Sequence, residues 1–150
     1  MDSLDRKIIA ELQIDGRMSV TDLAERLPLS LSATSERLKR LIDSGTIAGF
    51  AARVDPELAG RPIQALIDVR FPPEAYAPDL PFDDPAFEGV VDAVHLTGSF
   101  DLQLRVMAHD VGELDRLLAR LKDDLGAFET NTRLILRTID GFPRAVSPAS

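Results

Sequence analysis

Apolar residues recur at helical spacing in three successive stretches near the start of the chain, at residues 4–12, 20–27 and 38–42. Each stretch follows, at a short distance, a residue suited to capping a helix N-terminus: Asp2, Ser19 and Ser30. The stretches are interrupted or ended by residues unfavourable to helices: Asp15-Gly16-Arg17, Pro28 and Gly45. Because only residues 28–30 separate the second and third helices, the pattern predicts a helix-turn-helix on a supporting first helix.

After residue 61 the pattern changes from helical to alternating. Apolar and polar side chains alternate over residues 63–71, which predicts a strand with one buried face. Five prolines between residues 72 and 89 allow only a short helix there. Further elements are predicted as strands at 90–96, 102–108 and 130–139, with a helix between the last two that Asp110 caps and Gly126 ends. The order β, short α, β, β, α, β is typical of a ferredoxin-like four-stranded antiparallel sheet with helices on one face.

The fold class predicted from these elements is α+β, in two domains. We place a helix-turn-helix domain at residues 1–47, an extended linker strand at 48–61, a ferredoxin-like βαββαβ domain at 62–140 and a tail at 141–150. Within the linker, Phe50 and Val54 are spaced to pair in a strand. The open face of the predicted sheet is a natural surface for a partner.

Composition excludes several kinds of chemistry. Hydrophobic residues make up 45% of the 150 positions, so a packed core is available. With no Cys and two His, no metal-ligand cluster has credible spacing, and no Gly-x-Ser-x-Gly nucleophile motif is present. No apolar run approaches the ~18 residues of a membrane span, and the first residues lack a signal-peptide pattern. We therefore expect a cytoplasmic protein that needs no cofactor.

The net charge of −8 is unevenly distributed along the chain. Residues 1–50 carry a net charge of −1 and residues 51–150 carry −7. Phosphate binding depends on local basic groups rather than on the charge of the whole chain. The acidic part would repel DNA from the wrong face, although solubility alone is the simpler explanation of the charge.

The third predicted helix carries the candidate DNA contacts. Its small, hydroxylated first turn would let the helix end enter the major groove, which is ~12 Å wide. Three positive charges against one negative between residues 31 and 42 suit phosphate contacts, with one guanine contact as an option, and Glu36 suits a cytosine amino group. The candidates are Ser32, Ser35, Glu36, Arg37, Lys39 and Arg40. The alternative is an ordinary three-helix unit whose basic residues form a solvated face.

Motifs along nearly the whole chain, from residue 2 to about 140, resemble one family. The N-terminal ones are Asp2-Ser3-Leu4-Asp5-Arg6-Lys7-Ile8-Ile9, Asp15-Gly16-Arg17, Leu29-Ser30, Arg37-Leu38-Lys39-Arg40-Leu41 and Gly45-Thr46-Ile47-Ala48-Gly49-Phe50. The C-terminal one is a Gly-x-x-Asp turn, Thr97-Gly98-Ser99-Phe100-Asp101. Together they resemble the Lrp/AsnC (feast/famine) transcriptional regulators.

The resemblance implies a winged-helix-like reader of double-stranded DNA and a linker strand that pairs with its twin in a homodimer. It also implies that the ferredoxin-like domain assembles dimers into larger rings, commonly octamers, and binds a small effector, usually an amino acid, between subunits. The effector residues carried over are Gly98, Asp101, Leu102, Thr130 and Thr132. A turn supplies N–H groups for a carboxylate, and Asp101 can accept from an α-ammonium group. Asp101 could equally cap the turn.

Three positions depart from the family pattern. Leu102 stands where an aromatic residue often follows the motif aspartate, the proline-rich residues 72–89 replace a helix, and Thr34 occupies a usually apolar helix position.

Two other functions fit the same predicted scaffold. A sirohaem decarboxylase-like enzyme would need a His-x-Tyr-Asn-Leu-Trp type motif, but the chain has no Trp and has Gly98-Ser99-Phe100-Asp101-Leu102-Gln103 at the turn. An effector-sensing module that does not bind DNA is disfavoured by the basic residues at 37–40. The sequence therefore favours an effector-modulated, sequence-specific DNA-binding regulator.

Overall fold

A computed structural model of the chain describes residues 1–73, 81 and 83–139. These residues form two compact units, one spanning Met1–Arg53 and the other Val54–Ile139. The first unit is helical, whereas the second combines a sheet with a helix. The predicted tail at 141–150 and residues 74–80 and 82 of the proline-rich segment lie outside the described residues.

The first unit contains three helices: α1 (Ser3–Ile14), α2 (Val20–Arg26) and α3 (Leu31–Asp43). Side chains of Asp2, Ser19 and Ser30 accept hydrogen bonds from backbone N–H groups in the first turn of their helices, as predicted. At the other end of α3, Gly45 has a φ of +71°, a backbone conformation that favours glycine. The three-helix arrangement predicted from the apolar spacing is confirmed.

The core of the helical unit is built from one apolar stripe of each helix. Its buried members are Ile8, Ile9, Leu12, Leu23, Leu27 and Leu41. Thr34 lies fully buried on the same side of α3. Its hydroxyl donates to the Ser30 carbonyl at 3.0 Å, so the polar group is satisfied locally at this usually apolar position.

The second unit contains β1 (Ile63–Arg70), a 3-10 turn (Pro85–Phe87), β2 (Val90–His95), β3 (Leu102–Ala108), α4 (Val111–Asp123) and β4 (Glu129–Leu134). The four strands are antiparallel and lie in the order β2-β3-β1-β4. Between the first two strands, the described residues contain only this one-turn helix. The predicted ferredoxin-like arrangement is confirmed.

The alternation in β1 and β3 separates two faces of the sheet. One face packs with α4 and Phe87 in a core whose buried strand residues include Ala65, Ile67, Val69, Leu102, Leu104 and Val106. The other face is polar at its centre, where the buried Asp68 accepts hydrogen bonds from Gln103 at 2.7 Å and Arg133 at 2.6 Å. These two partners satisfy the buried carboxylate.

Two predicted strands differ from the structure. The last strand was predicted to run from residue 130 to Ile139, but β4 ends at Leu134, which pairs with Ala65 near the start of β1. Residues 44–62 contain neither helix nor strand within the single chain. Pairing of the linker strand at 48–61 with its twin requires a second copy, so it stays a prediction.

Candidate nucleic-acid interface and effector site

The surface of α3 opposite its core stripe is exposed. Five of the six predicted DNA contacts lie on this surface, which we call the reading face: Ser32, Ser35, Glu36, Lys39 and Arg40. Ser32, Glu36 and Lys39 follow one another at helical spacing, whereas Thr34 and Leu41 point into the core. The described part of the helical unit thus leaves the reading face open.

The start of α3 is compact and polar. The Ser30 hydroxyl accepts from the Ala33 N–H at 3.2 Å and lies 3.1 Å from the Ser32 hydroxyl. A helix end with small side chains can approach base edges in the major groove closely. Ser30 therefore fixes where the helix begins, and Ser32 stands next to it on the reading face.

Arg37, the sixth predicted contact, lies apart from the reading face. Its Nη1 donates to Asp2 Oδ2 at 2.6 Å and to Asp5 Oδ1 at 2.8 Å, and its side chain is only 23% exposed. Arg40 also donates to Asp5, through Nη2 at 3.0 Å, but its side chain remains 61% exposed. The two arginines are therefore held by the first turn of α1 to very different degrees.

The carboxylates that hold these arginines have lowered pKa values. For Asp2 the backbone hydrogen bond from Asp5 and then the Arg37 guanidinium lower the pKa from 3.8 to about 2. For Asp5 burial acts to raise the pKa, but hydrogen bonds from the Asp2 N–H and from Arg37 outweigh it, so the pKa lies below its ordinary value. The pKa of Arg37 is raised by its hydrogen bonds to Asp2 and Asp5. All three groups are charged at neutral pH.

The predicted sensor turn is held by its two motif residues. Gly98 has a φ of +111°, which side-chain-bearing residues rarely adopt. Asp101 Oδ2 accepts from the Phe71 N–H at 2.8 Å, and its own N–H donates to the Val69 carbonyl at 2.9 Å. The Asp101 carboxylate therefore ties the sensor turn to the residue that follows β1, and its contact with an effector stays a prediction.

The remaining predicted effector residues differ in how far they are buried. The Leu102 side chain is 2% exposed and lies in the core of the single chain, and its predicted contact with an effector stays a prediction. Thr130 and Thr132 pair with Val69 and Ile67 and therefore point to the face that α4 covers, where both are half-buried. Asp101 and Thr130 thus lie at the C-terminal end of β1.

Sequence reasoning missed an arginine at this end of β1. The guanidinium carbon of Arg70 lies 6.0 Å from the centre of the Phe100 ring and 5.8 Å from that of Phe128. Arg70 also forms an ion pair with Glu129. These contacts join the sensor turn to the start of β4. Local sequence patterns could not predict them, because Phe128 and Glu129 are distant along the chain from Arg70.

Comparison with known proteins agrees with this architecture. A profile described as the AsnC-type helix-turn-helix domain matches residues 1–42, and one described as the Lrp/AsnC ligand binding domain matches residues 85–144. The chain is 31% identical over 142 residues to the HTH-type transcriptional regulator LrpA of Mycobacterium tuberculosis, covering 92% of this chain and 91% of LrpA.

Two solved structures are similar over almost their full length. One is a feast or famine regulatory protein from M. tuberculosis complexed with L-methionine, with a TM-score of 0.85 and 29% identity over 98% of this chain and 99% of that one. The other is a transcriptional regulator of Neisseria meningitidis in complex with L-Met, with a TM-score of 0.80 and 27% identity over 99% of this chain and 96% of that one.

The helix-turn-helix with its open reading face, followed by a ferredoxin-like unit, defines a DNA-binding transcriptional regulator. The chain belongs to the Lrp/AsnC family. The relatives named above are transcriptional regulators. Within the described ranges, no helix has both the length and the apolar character needed to cross a membrane.

Proposed function

We propose that this regulator binds operator DNA in the cytoplasm as a homodimer, with the N-terminal half of each α3 in the major groove. Ser32, Ser35 and Glu36 contact base edges, and Lys39 and Arg40 contact phosphates. Two-fold symmetry then requires half-sites ~34–36 Å apart or a multiple of that spacing. Larger rings, up to the octamer, form from these dimers.

The observation that supports this most is the exposure of the reading face beside a fully packed core. This surface of α3 presents two cations, a carboxylate and two hydroxyl groups, a combination that suits contacts with phosphates and base edges. The acidic C-terminal part of the chain keeps DNA at the helical unit by repulsion elsewhere.

Fluorescence anisotropy with the protein's own upstream DNA tests the DNA-binding proposal. The native oligomer should prefer this DNA over a random duplex at moderate salt, and the logarithm of its affinity should decrease linearly with the logarithm of salt concentration. Lys39→Ala should weaken binding. It should also reduce the slope of log affinity against log salt concentration by about 1, because one phosphate contact is lost. Lys122→Ala removes another exposed helical lysine, on α4, and should leave binding unchanged. Equal affinity of the native protein for both duplexes contradicts the proposal.

We further propose that an amino acid is the effector and that it binds at the Gly98–Asp101 turn with Thr130 and Thr132 nearby. The L-methionine complexes of two structurally similar regulators support this class of ligand. Thr130 and Thr132 offer hydroxyl groups for either end of an amino acid, while Asp101 keeps the turn in place. A site between subunits allows the ligand to bias assembly if its affinity differs between assembly states.

A thermal-shift screen of the standard amino acids tests this second part. A ligand at ~100 times its dissociation constant stabilises the native state by ~2.7 kcal/mol, which is visible as a raised melting temperature. Thr132→Val keeps the side-chain volume but removes the hydroxyl, and should abolish the shift. Thr21→Val makes the same change on α2 and should preserve it. The absence of a response to every amino acid contradicts the proposed ligand class.

A further inference from the structure

The buried carboxylate of Asp5 connects helix α1 with helix α3, which carries the reading face. Asp5 is 3% exposed, and its oxygens accept from the Asp2 N–H at 3.0 Å, from Arg37 Nη1 at 2.8 Å and from Arg40 Nη2 at 3.0 and 3.2 Å. A carboxylate on one helix thus receives two guanidinium groups from another. Removing one partner of such a buried ion pair leaves a charge without compensation.

The two arginines differ in what they can still reach. Arg37 donates to two carboxylates and has 23% of its side chain exposed, so its guanidinium belongs to the helix–helix contact. Arg40 donates through Nη2 alone and has 61% of its side chain exposed, beside Glu36 on the reading face. A planar guanidinium can donate through one nitrogen to a carboxylate while its other N–H groups point outward.

On these contacts we propose that Asp5 is a positioning residue for DNA binding: it orients Arg40 so that the outward N–H groups of this arginine meet a DNA phosphate, while Arg37 stays within the protein. The proposal rests on the DNA binding proposed above. It deepens that function because it assigns different roles to Arg37 and Arg40, which lie on the same helix. It also gives Asp5 of α1 a role in DNA binding without a contact to DNA.

Loss of the Asp5 charge changes DNA affinity in opposite directions, depending on whether Asp5 positions Arg40 or acts only through its charge. Asp5→Asn raises the net charge of the helical unit by one, so an effect of charge alone would make DNA binding tighter. If Asp5 orients Arg40, the same substitution weakens DNA binding by about tenfold, which corresponds to one charge-assisted hydrogen bond. The salt slope also decreases by ~0.9, because one phosphate contact is lost.

The test measures DNA affinity of the full-length oligomer across a range of salt concentrations. Asp43→Asn is the matched control, since it makes the same change of charge at an exposed position of α3. This control should bind as tightly as the native chain or slightly more tightly, with an unchanged slope. Asp5→Asn should bind more weakly than both, and equal or tighter binding by Asp5→Asn overturns the proposal.

A double variant determines whether Asp5 acts through Arg40. In the Arg40→Ala background Asp5→Asn should cause no further loss of DNA affinity, because the group that it orients is already absent. An equal loss in both backgrounds overturns the proposal. If native protein fails to bind DNA at all, the function proposed above fails instead, and the two failures are thereby distinguished.

Arg40→Lys keeps the proposal testable if Asp5→Asn does not fold. Lysine retains the positive charge but lacks the planar fork that serves a carboxylate and a phosphate together. Arg40→Lys should therefore lose most of the DNA affinity that Arg40→Ala loses, with a melting temperature close to the native value. Native-like affinity of Arg40→Lys would show that charge alone suffices, and would overturn the proposed role of Asp5.

Discussion

Two glycines of the helical unit, Gly45 and Gly49, stand in equally open surroundings but differ in backbone conformation. A Cβ atom added at either would have nothing within 4 Å. Gly45 follows the end of α3 with a φ of +71°, whereas Gly49 lies outside this left-handed region. The pair therefore isolates the effect of backbone strain from that of steric contact.

We expect Gly45→Ala to lower the free energy of unfolding by about 1 kcal/mol, because a Cβ atom is unfavourable in the left-handed conformation. Gly49→Ala should change it by less than about 0.5 kcal/mol. Urea unfolding followed by circular dichroism measures both. Equal losses for the two variants would show that φ does not determine the cost.

The ion pairs of Asp2 predict how the stability of the helical unit depends on pH. The pKa of Asp2 is lowered from 3.8 to about 2 in the folded chain. A lowered folded-state pKa contributes stability above the unfolded value, and this contribution is lost as the pH decreases from 3.8 towards 2. Asp2→Asn should reduce the decline in the urea midpoint over this interval. An unchanged decline would mean that Asp2 does not contribute to it.

Among the secondary-structure elements, α3 has two nearby serines with different roles, one in helix stability and one in DNA recognition. Ser30 caps the helix by accepting from the Ala33 N–H, whereas Ser32 lies on the reading face. Ser30→Ala should lower the free energy of unfolding by about 1 kcal/mol. Ser32→Ala should alter it by less than about 0.5 kcal/mol but weaken binding of the operator. Chemical denaturation and anisotropy on both variants test this separation, and a reversed order would contradict it.

Local signals explain why the helices were predicted well. The N-caps Asp2, Ser19, Ser30 and Asp110 act within one turn of their own helices, so the sequence contains the whole interaction. The end of β4 could not be predicted in this way. The register pairs Leu134 with Ala65, so β1, which begins at Ile63, offers no partner to residues beyond 136, and this long-range limit is not visible in the local pattern.

The candidate site was predictable in its positions but not in its contacts. Helical spacing places five of the six predicted DNA contacts on the reading face. It cannot show that Asp2 and Asp5, more than thirty residues earlier in the chain, reach Arg37. Leu102 is a different case, because its alternation with Leu104 and Val106 already indicated the buried face.

At the scale of the whole molecule, the described residues form two hydrophobic cores, one in each unit. Leu23 and Leu104 are both fully buried, one in each core. We expect Leu23→Ala and Leu104→Ala each to cost about 2–5 kcal/mol, but in different calorimetric transitions. Equal shifts of one shared transition in both variants would contradict two separately stabilised units.

Asp101 connects the sensor turn with the ends of neighbouring strands. Its carboxylate and N–H bind the backbone at Phe71 and Val69 of the β1 end, and its carbonyl accepts from Leu96, directly after β2. A ligand that orders this turn therefore also restrains the three amides that these bonds use. Amide hydrogen exchange at Phe71, Leu96 and Asp101 should become slower when the effector is bound, which makes this end of the sheet a direct reporter of ligand occupancy.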